Sequence, residues 1–350
     1  MSILRFKLHK MLHWEYWPMQ LVYFPLYPIW LFFAFRTKAF FFFNTANPSI
    51  KYGGMAMESK KEVYDLIPSC YIPTTLFFRK DTPVSKILSD AAAHYIHFPF
   101  IVKPDIGMKG LAVQIIQNQE DLSTYISKLE EDFLVQAIVT YPNEVGIFYC
   151  RIPGASRGRV TGMVRKNFLT ITGNGKDTML ALIKKNARSY FQLKPLTKMY
   201  GAQLNNILAK GESFILIPYG SHTRGAEFID ETELLNKQLL TVIDTLCKKI
   251  DGFYYGRLDI RYASWDDLCA GKNFTIIELN GAGSEPTHIY DPAHSLFFAW
   301  KEISKHWKLL YKISKINNSK GYAYLSFKEG KHLFAANSIK EKKLKAFHVR

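Results

Sequence analysis

The sequence has little of what several common enzyme classes require. Its four cysteines stand far apart, with neither a disulfide-like nor a metal-like spacing, which favours a reducing compartment. It contains no G-x-S-x-G elbow, no H-E-x-x-H and no C-x-x-C, so serine hydrolase, zinc protease and thiol redox chemistries are not indicated. Internal repeats and low-complexity tracts are also absent. With 350 residues and 48% hydrophobic composition, the chain is long enough for two or three packed subdomains.

One strand-like segment carries unexpected polar side chains. In FTIIELN, residues 274–280, alternation along a strand predicts Glu278 and Asn280 on one face and Ile277 and Leu279 on the other. A carboxylate and an amide oxygen are ligands that suit Mg²⁺, and a partly buried carboxylate needs such a partner. The alternative interpretation is an edge strand with a solvated polar face.

A second segment, GFYYGRLDIRY at residues 252–262, favours the metal interpretation. It also resembles a strand, with Arg257, Asp259 and Arg261 on one face. Asp259 adds a third oxygen ligand, and Arg257 can hold a phosphate or a developing oxyanion. Together the two strands indicate a nucleotide-metal site rather than a structural ion pair.

A third segment, FPFIVKPDIGMKGLAV at residues 98–113, has the pattern of a phosphate loop. An apolar strand leads to Lys103, Pro104 ends its regularity, and Gly107 and Gly110 supply flexible backbone that can close over phosphate oxygens. The spacing is neither that of a Walker loop nor that of a dinucleotide fingerprint. By itself it is weak evidence.

In this order the segments resemble the ATP-grasp carboxylate-amine ligases, which include D-alanine-D-alanine ligase, the ribosomal-protein glutamate ligase type and cyanophycin synthetase. The resemblance covers roughly residues 70 to 300. It implies an α+β ATP-grasp fold in which two α+β subdomains clasp ATP, and two Mg²⁺ ions for which Mn²⁺ substitutes. The metal ligands that it implies are Asp259, Glu278 and Asn280, and the catalytic residues are Arg257, Arg224 and Lys103. The nucleotide contacts that it implies are Lys103, Gly107, Met108, Lys109, Gly110, Gln136, Ala137, Ile138, Glu144, His222 and Arg224.

The sequence departs from the family pattern at several of these positions. The segment FLVQAIVTYPNEVGIFY resembles the adenine hinge, but Gln136 stands where an acidic residue is usual; the backbone at Ala137 and Ile138 would contact adenine, and Glu144 would bind the ribose hydroxyls. Residues 165–183 are similar to the GDG turn and helix of cyanophycin synthetase, with Asn174 in place of Asp. Residues 220–230 resemble an N-x-x-R-G-G phosphate segment, with Ser221 and Ala226 substituted.

Two more positions are candidate contacts of the substrate. Glu285 lies just past the metal motif, and Arg151 lies at the end of the strand that carries Glu144. Separately, Asp177 or Thr178 is expected to cap the helix that follows.

The N-terminus carries an apolar run, YWPMQLVYFPLYPIWLFFAF at residues 16–35, without a formal charge and about as long as a spanning helix. Pro25 and Pro28 make a straight helix improbable, and both flanks are basic. We expect an interfacial or re-entrant anchor with both ends on the cytoplasmic face of a membrane, as at a bacterial inner membrane. The alternatives are a helical hairpin buried on the enzyme and a single spanning helix; a signal peptide is disfavoured because bulky aromatics follow the run.

The charge is concentrated at the C-terminus. The formal net charge is +16, and residues 301–350 contain 13 Lys or Arg against 3 Asp or Glu. The segment SKHWKLLYKISKINNSK has lysines at helical spacing with apolar residues between them, which is typical of a helix lying on anionic lipid; the alternative is a solvated face over the core. Nucleic acid is disfavoured because no nucleic-acid module accompanies the lysines.

These features predict four regions: a membrane-associating segment (1–43), a reduced pre-ATP-grasp region (44–95), an ATP-grasp catalytic region (96–300) and a basic amphipathic tail (301–350). The predicted function is an ATP-dependent ligase that joins a carboxylate to an amine through an acyl phosphate, on a membrane-associated or amino-acid-containing substrate. A soluble D-Ala-D-Ala-type or peptide ligase is the enzymatic alternative, and it predicts full activity after deletion of residues 1–43. A non-catalytic nucleotide-binding scaffold is the other alternative, and the filled metal triad argues against it. A homo-oligomer is left open.

Overall fold

The structure, a computed structural model, describes residues 3–108 and 110–349. In it, the neighbouring strands of each sheet are antiparallel. Helices and antiparallel sheets together confirm the predicted α+β class. The strands are β1 (Thr75–Phe78), β2 (Phe100–Pro104), β3 (Gln114–Ile116), β4 (Phe133–Ala137), β5 (Asn143–Cys150), β6 (Arg159–Asn167), β7 (Leu169–Thr172), β8 (Ser213–Ile217), β9 (Glu227–Asp230), β10 (Tyr255–Tyr262) and β11 (Phe274–Asn280).

The helices cover the faces and ends of the sheets. In chain order they are α1 (Ile3–Leu12), α2 (Met19–Tyr23), α3 (Tyr27–Thr37), α4 (Lys60–Leu66), α5 (Val84–Ala93), α6 (Gln119–Lys128), α7 (Met179–Lys185), α8 (Ala187–Tyr190), α9 (Leu193–Tyr200), α10 (Lys237–Lys248), α11 (Trp265–Cys269), α12 (Leu296–Ser319) and α13 (Phe327–Val349). Helix α7 begins where the sequence predicts a cap, because Thr178 Oγ1 accepts a hydrogen bond from the Ala181 backbone.

The first sheet has the strand order β1-β4-β2-β3. Helices α5 and α6 pack on one of its faces, where Phe100 and Val102 of β2 are buried. Since side chains alternate along a strand, Lys103 points to the opposite face, together with Gln136 of the neighbouring β4. This sheet therefore presents Lys103 toward the rest of the molecule.

The second sheet has the order β11-β10-β5-β6-β9. Its inner face packs on α10, with Ile147 and Leu258 against Ile243. Its other face carries the polar side chains of β10 and β5, among them Asp259 and Glu144. Tyr64 of α4 joins the two sheets, because its hydroxyl accepts a hydrogen bond from Lys103 of β2 and donates one to the Ile277 carbonyl of β11.

The N-terminal region is a broken helix folded on α12. Pro18 precedes α2, Pro25 lies in the short helical turn Phe24–Leu26, and Pro28 lies in the first turn of α3, where the missing N–H costs nothing. Val22, Leu26 and Phe33 are buried on this inner side, while α12 contributes Ile303 and Leu310. Within residues 3–108 and 110–349, no helix combines the length and apolar character needed to cross a bilayer.

The predicted lipid-binding role of the segment around α12 is wrong. Leu310 and Ile313 lie in the core, so the apolar side of this helix is covered by protein, while Lys308 and Lys312 are exposed. The alternative of a solvated lysine face over the core describes the observed helix. Helix α13 continues to the first sheet, where its Leu344 lies next to Gly107.

Candidate active site

The three predicted metal ligands come together on neighbouring strands. In the antiparallel register of β10 and β11, Asp259 lies opposite Glu278 and Arg257 lies opposite Asn280. Directly opposed residues share a face of the sheet, with Cβ atoms about 4.5–5.5 Å apart. The face therefore presents two carboxylates, one amide and one guanidinium.

A β-bulge at Ile277 changes the alternation that the sequence predicts. The register shifts there, because Asp259 pairs with Glu278 but the next residue, Ile260, pairs with Ile276. Ile276 and Leu279 are the core residues of β11, so the prediction that Ile277 packs with Leu279 on the inner face is wrong. The Ile277 carbonyl instead accepts a 2.5 Å hydrogen bond from the Tyr64 hydroxyl. Bulges often stand beside active sites, where they re-aim side chains.

Asp259 is held by two cations. Arg257 donates from Nε and Nη2 at 2.9 and 3.0 Å, and Lys166 Nζ lies 2.9 Å from Oδ1. Burial disfavours the charged carboxylate, but the charges of Arg257 and Lys166 outweigh it and lower the pKa of Asp259 to about 2. Both oxygens of Asp259 are therefore engaged by protein groups.

Lys166 was not predicted as a site residue, although it stands at the centre of this network. Its Nζ also lies 3.0 Å from Glu144 Oε1, and Arg261 Nε approaches the other oxygen of Glu144 at 3.4 Å. Glu144, predicted to bind the ribose, is thus buried between two cations. The segment MVRKNF, in which two apolar residues are followed by three polar ones, has no alternation that would have distinguished Lys166 from its neighbours.

Lys103 lies on the first sheet, where the charge of Glu278 acts on it. Its Nζ donates to the Tyr64 hydroxyl at 2.7 Å and to Gln136 Oε1 at 3.0 Å. Burial lowers the pKa of Lys103 to about 8, with the Glu278 charge opposing the change. A buried ammonium with two neutral partners is suited to bind an anion.

Two residues of α4 complete this side of the site, and the sequence did not indicate either. Lys60 Nζ donates to the Gly107 carbonyl at 2.8 Å, and Tyr64 bridges Lys103 and the bulge at Ile277. Burial is the main cause that lowers the pKa of Lys60. A helix assigned to the reduced pre-ATP-grasp region therefore lines the same pocket as Glu278 and Asn280.

The glycine loop after β2 contacts the turn that precedes β9 of the second sheet. Arg224, in the short helical turn at 222–224, donates from Nη2 to the Gly110 carbonyl at 2.6 Å, and its guanidinium lies over the Tyr219 ring. Met108 lies in the same loop, where its carbonyl accepts from the Leu111 backbone. The predicted contact Lys109 lies outside the described residues. The loop and Arg224 thus lie next to each other, as groups that bind one phosphate must.

The predicted adenine hinge lies at the end of β4. Gln136 Nε2 donates to Thr75 Oγ1 at 2.7 Å, and the Ala137 N–H donates to the Thr74 carbonyl at 3.0 Å. The Ala137 N–H is therefore already used within the sheet. Ile138 follows the last residue of the strand and is half-buried.

His222 is placed by the N-terminal segment. Its Nε2 lies 3.1 Å from Glu15 Oε2, and Arg188 binds the same carboxylate at 3.0 Å. Burial opposes ionisation of Glu15, but these partners hold its pKa below the ordinary value. The side chain of His222 is thus engaged by a carboxylate.

The two candidate substrate contacts, Glu285 and Arg151, lie in different parts of the structure. Glu285 accepts hydrogen bonds from the hydroxyls of Tyr23 at 2.7 Å and Tyr290 at 3.1 Å, so it joins α2 to the loop after the metal strand. The guanidinium of Arg151 stacks on the Tyr254 ring at 4.7 Å, and its side chain follows Tyr149 on the α10 face of the sheet. Arg151 is therefore not brought to the site.

The residues of the site fit a hard divalent cation. Glu58 Oε2 is shielded from solvent and has no hydrogen-bond partner, and Glu58 lines one pocket with Glu278 and Asn280. A buried carboxylate oxygen without a partner is uncommon in folded proteins, and a cation would satisfy it. Among residues 3–108 and 110–349, no group of three or more His, Cys, Asp and Glu side chains is arranged as a metal site. The candidate set instead combines carboxylates with the amide of Asn280.

Comparison with solved structures recovers the predicted resemblance. D-alanine--D-alanine ligase from Bacillus anthracis superposes with a TM-score of 0.43 and 12% identity, covering 78% of this chain and 72% of that one. VanG D-Ala:D-Ser ligase from Enterococcus faecalis gives 0.41 and 11%, covering 75% and 64%. A bifunctional glutathione synthetase from Pasteurella multocida gives 0.39 and 16%, covering 75% of this chain but only 38% of that one.

These three neighbours are ATP-grasp enzymes, the family that the sequence resembles. No protein-family model matches the sequence, and a search of curated protein sequences finds no significant match.

Lys103 predicts a pH dependence of nucleotide binding. Its ammonium loses a proton as the pH rises through about 8, and a bound phosphate favours the protonated form. We expect ATP affinity to fall above this pH, and binding there to be accompanied by proton uptake. Calorimetric titrations in two buffers of different ionisation enthalpy measure that uptake. In Lys103→Arg, which stays charged, the uptake should disappear; its persistence would show that another group titrates.

Proposed function

We propose that the protein is an ATP-dependent ligase that joins a carboxylate to an amine. The observation that carries the proposal is the junction of the two sheets, where Tyr64 bonds both Lys103 and the Ile277 carbonyl of the strand that carries Glu278. The neighbouring strand adds Arg257 and Asp259. Cations on both sides of a metal-ligand strand pair are what transfer of a phosphoryl group requires, because that step depends on positioning and charge neutralisation.

The reaction has two steps. A carboxylate oxygen of the acid attacks the γ-phosphorus of ATP, and ADP leaves, which forms an acyl phosphate. The amine nitrogen then attacks the acyl carbon, inorganic phosphate leaves, and the nitrogen loses a proton. Lys103 and Arg257 stabilise the transferred phosphoryl group, and Lys166 holds the carboxylates of Asp259 and Glu144 in place. Glu278 and Asn280 would hold Mg²⁺, which would supply positive charge to neutralise the phosphate groups.

The acyl phosphate can be trapped. The protein, solubilised in detergent, is incubated with ATP, hydroxylamine and either amino acids or an extracted lipid fraction. Hydroxylamine converts an acyl phosphate into a hydroxamate, so an ATP-dependent hydroxamate together with equimolar phosphate supports the ligase. Nucleotide binding without hydroxamate or phosphate release from either pool would favour the scaffold alternative.

We also propose that the enzyme acts at the cytoplasmic face of a membrane, on a membrane-associated substrate. The outer side of α2 and α3 exposes large apolar side chains, with Phe24 70% and Phe35 81% exposed. No Asp or Glu occurs between Tyr16 and Met57, whereas Arg36 and Lys38 follow the apolar run. An apolar surface with cationic flanks complements an anionic bilayer.

This surface predicts binding to lipid vesicles. The double variant Phe24→Ser, Phe35→Ser should bind vesicles of phosphatidylcholine with phosphatidylglycerol at least about tenfold more weakly than the unmodified chain, since burying one Phe is worth ~1.5–3 kcal/mol. Co-sedimentation measures the partition. Tyr95→Ser, which alters an 86% exposed aromatic residue just after α5, is the control and should bind normally. Equal partition of the double variant and the control would exclude this surface.

A further inference from the structure

The pair Gly53–Gly54 packs backbone against backbone on the turn that follows the metal strand. The Gly53 carbonyl accepts from the Ala282 N–H at 2.8 Å, and the Gly54 carbonyl accepts from the Gly283 N–H at 2.9 Å. Gly54 has φ +75°, and a Cβ there would stand 2.7 Å from the Cα of Gly281. Only glycine fits such an approach. The N-terminal loop is thus fixed directly beside Asn280.

This packing delivers Glu58 into the pocket of the metal strand. Four residues after Gly54, Glu58 lines the same pocket as Lys60, Glu278 and Asn280. Its Oε2 is shielded from solvent and accepts no hydrogen bond. One carboxylate oxygen of the pocket therefore lacks a partner that a cation would supply.

The neighbouring charges do not satisfy Glu58. Lys60 is the nearest cation in sequence, but its Nζ donates to the Gly107 carbonyl at 2.8 Å. Two carboxylates that face one pocket repel each other unless a cation lies between them.

Asp259 is less available than Glu58 for that cation. Arg257 binds both of its oxygens and Lys166 binds one of them, so a metal could use Asp259 only by displacing a buried ion pair. Glu58 Oε2 has no bond to displace. Carboxylate and amide oxygens are the ligands that Mg²⁺ and Mn²⁺ prefer.

We propose that Glu58 is a ligand of the divalent cation held by Glu278 and Asn280. The inference rests on the proposed function only in taking this pocket as the metal site of the ligase. In this arrangement the Gly53–Gly54 turn places Glu58 beside the metal strand, and the cation then links the loop before α4 to that strand. Metal binding would thereby also position Lys60 and Tyr64 of α4.

Binding of Mn²⁺ alone tests the proposal without any substrate. Titration of the full chain, with free Mn²⁺ followed by its electron paramagnetic resonance signal, gives the affinity. Glu58→Gln keeps the shape of the side chain and should weaken Mn²⁺ binding by about tenfold to a hundredfold, the range seen when the support of a metal site is lost. Glu278→Gln should have a comparable effect.

Two further variants define the outcome. Glu62→Gln, on the exposed side of α4, should leave the Mn²⁺ affinity unchanged. Glu58→Asp keeps the charge but shortens the side chain, so its Mn²⁺ affinity should lie between those of Glu58→Gln and the unmodified chain. Such an intermediate affinity would show that the weaker binding of Glu58→Gln does not result from misfolding. The proposal is overturned if Glu58→Gln binds Mn²⁺ normally while Glu278→Gln does not, or if the unmodified chain binds no Mn²⁺. Hydroxamate formation by the unmodified chain is read separately, so the ligase proposal stands or fails on its own result.

Discussion

Replacing Glu278 by Gln is expected to lower the rate of ATP-dependent hydroxamate formation by on the order of 10³-fold, comparable to the loss of a group that stabilises transition-state charge. Glu278 stands opposite Asp259 on the face that presents Arg257 and Asn280, and its carboxylate lies near Lys103. Glutamine keeps the shape but removes the negative charge that a bridging Mg²⁺ needs.

The fold should survive this substitution, because Glu278 is only half-buried and lies outside the apolar clusters. The rate is measured as hydroxamate formed with the acid that supports turnover, and circular dichroism checks the fold. Glu233→Gln, at an exposed carboxylate between β9 and α10, is the matched control and should retain full activity. A Glu278→Gln variant as active as this control would place the chemistry elsewhere.

The face shared by Glu278 and Asn280 was predictable because it depends on alternation within one strand. The bulge at Ile277 was not, since it arises from pairing with β10 and from the hydrogen bond to Tyr64. The alternation of side chains that FTIIELN predicts does not indicate that one residue of the strand is bulged. The error therefore affected the inner face of β11 and left the polar pair intact.

Residues that act through distant partners were the ones missed. Lys166 acquires its role from Glu144 and Asp259, which lie 22 and 93 positions away in the chain. Lys308 and Lys312 show the opposite case: the spacing of their helix suits a lipid surface and a protein core equally, and burial of Leu310 by Phe33 and its neighbours decides between them. Local patterns predict which face is polar, whereas tertiary contacts determine what covers the other face.

Replacing Lys166 by Met is expected to destabilise the protein by about 3–5 kcal/mol at neutral pH, the range for removing one partner of a buried ion pair. Its side chain is 3% exposed and binds both Glu144 and Asp259, so the change leaves two buried carboxylates each with one cation fewer. The pKa of Asp259, held at about 2 by Arg257 and Lys166 against the effect of burial, should rise in the variant.

The sign of the pH dependence follows from that shift. A carboxylate whose pKa is lower in the folded state stabilises the fold above its unfolded pKa of about 3.9, and the contribution fades as the pH falls toward the folded value. The difference in unfolding free energy between the unmodified chain and Lys166→Met should therefore be full at pH 7 and smaller in acid, as measured by urea denaturation. Lys185→Met is the control, because Lys185 pairs with Asp177 at the surface with a side chain 63% exposed, and solvent screens such a pair. If Lys166→Met were no more destabilising than this control, the charge network of Asp259 and Glu144 would not be buried in solution, and the positions assigned to Arg257 and Lys166 around the phosphoryl group would have to be abandoned.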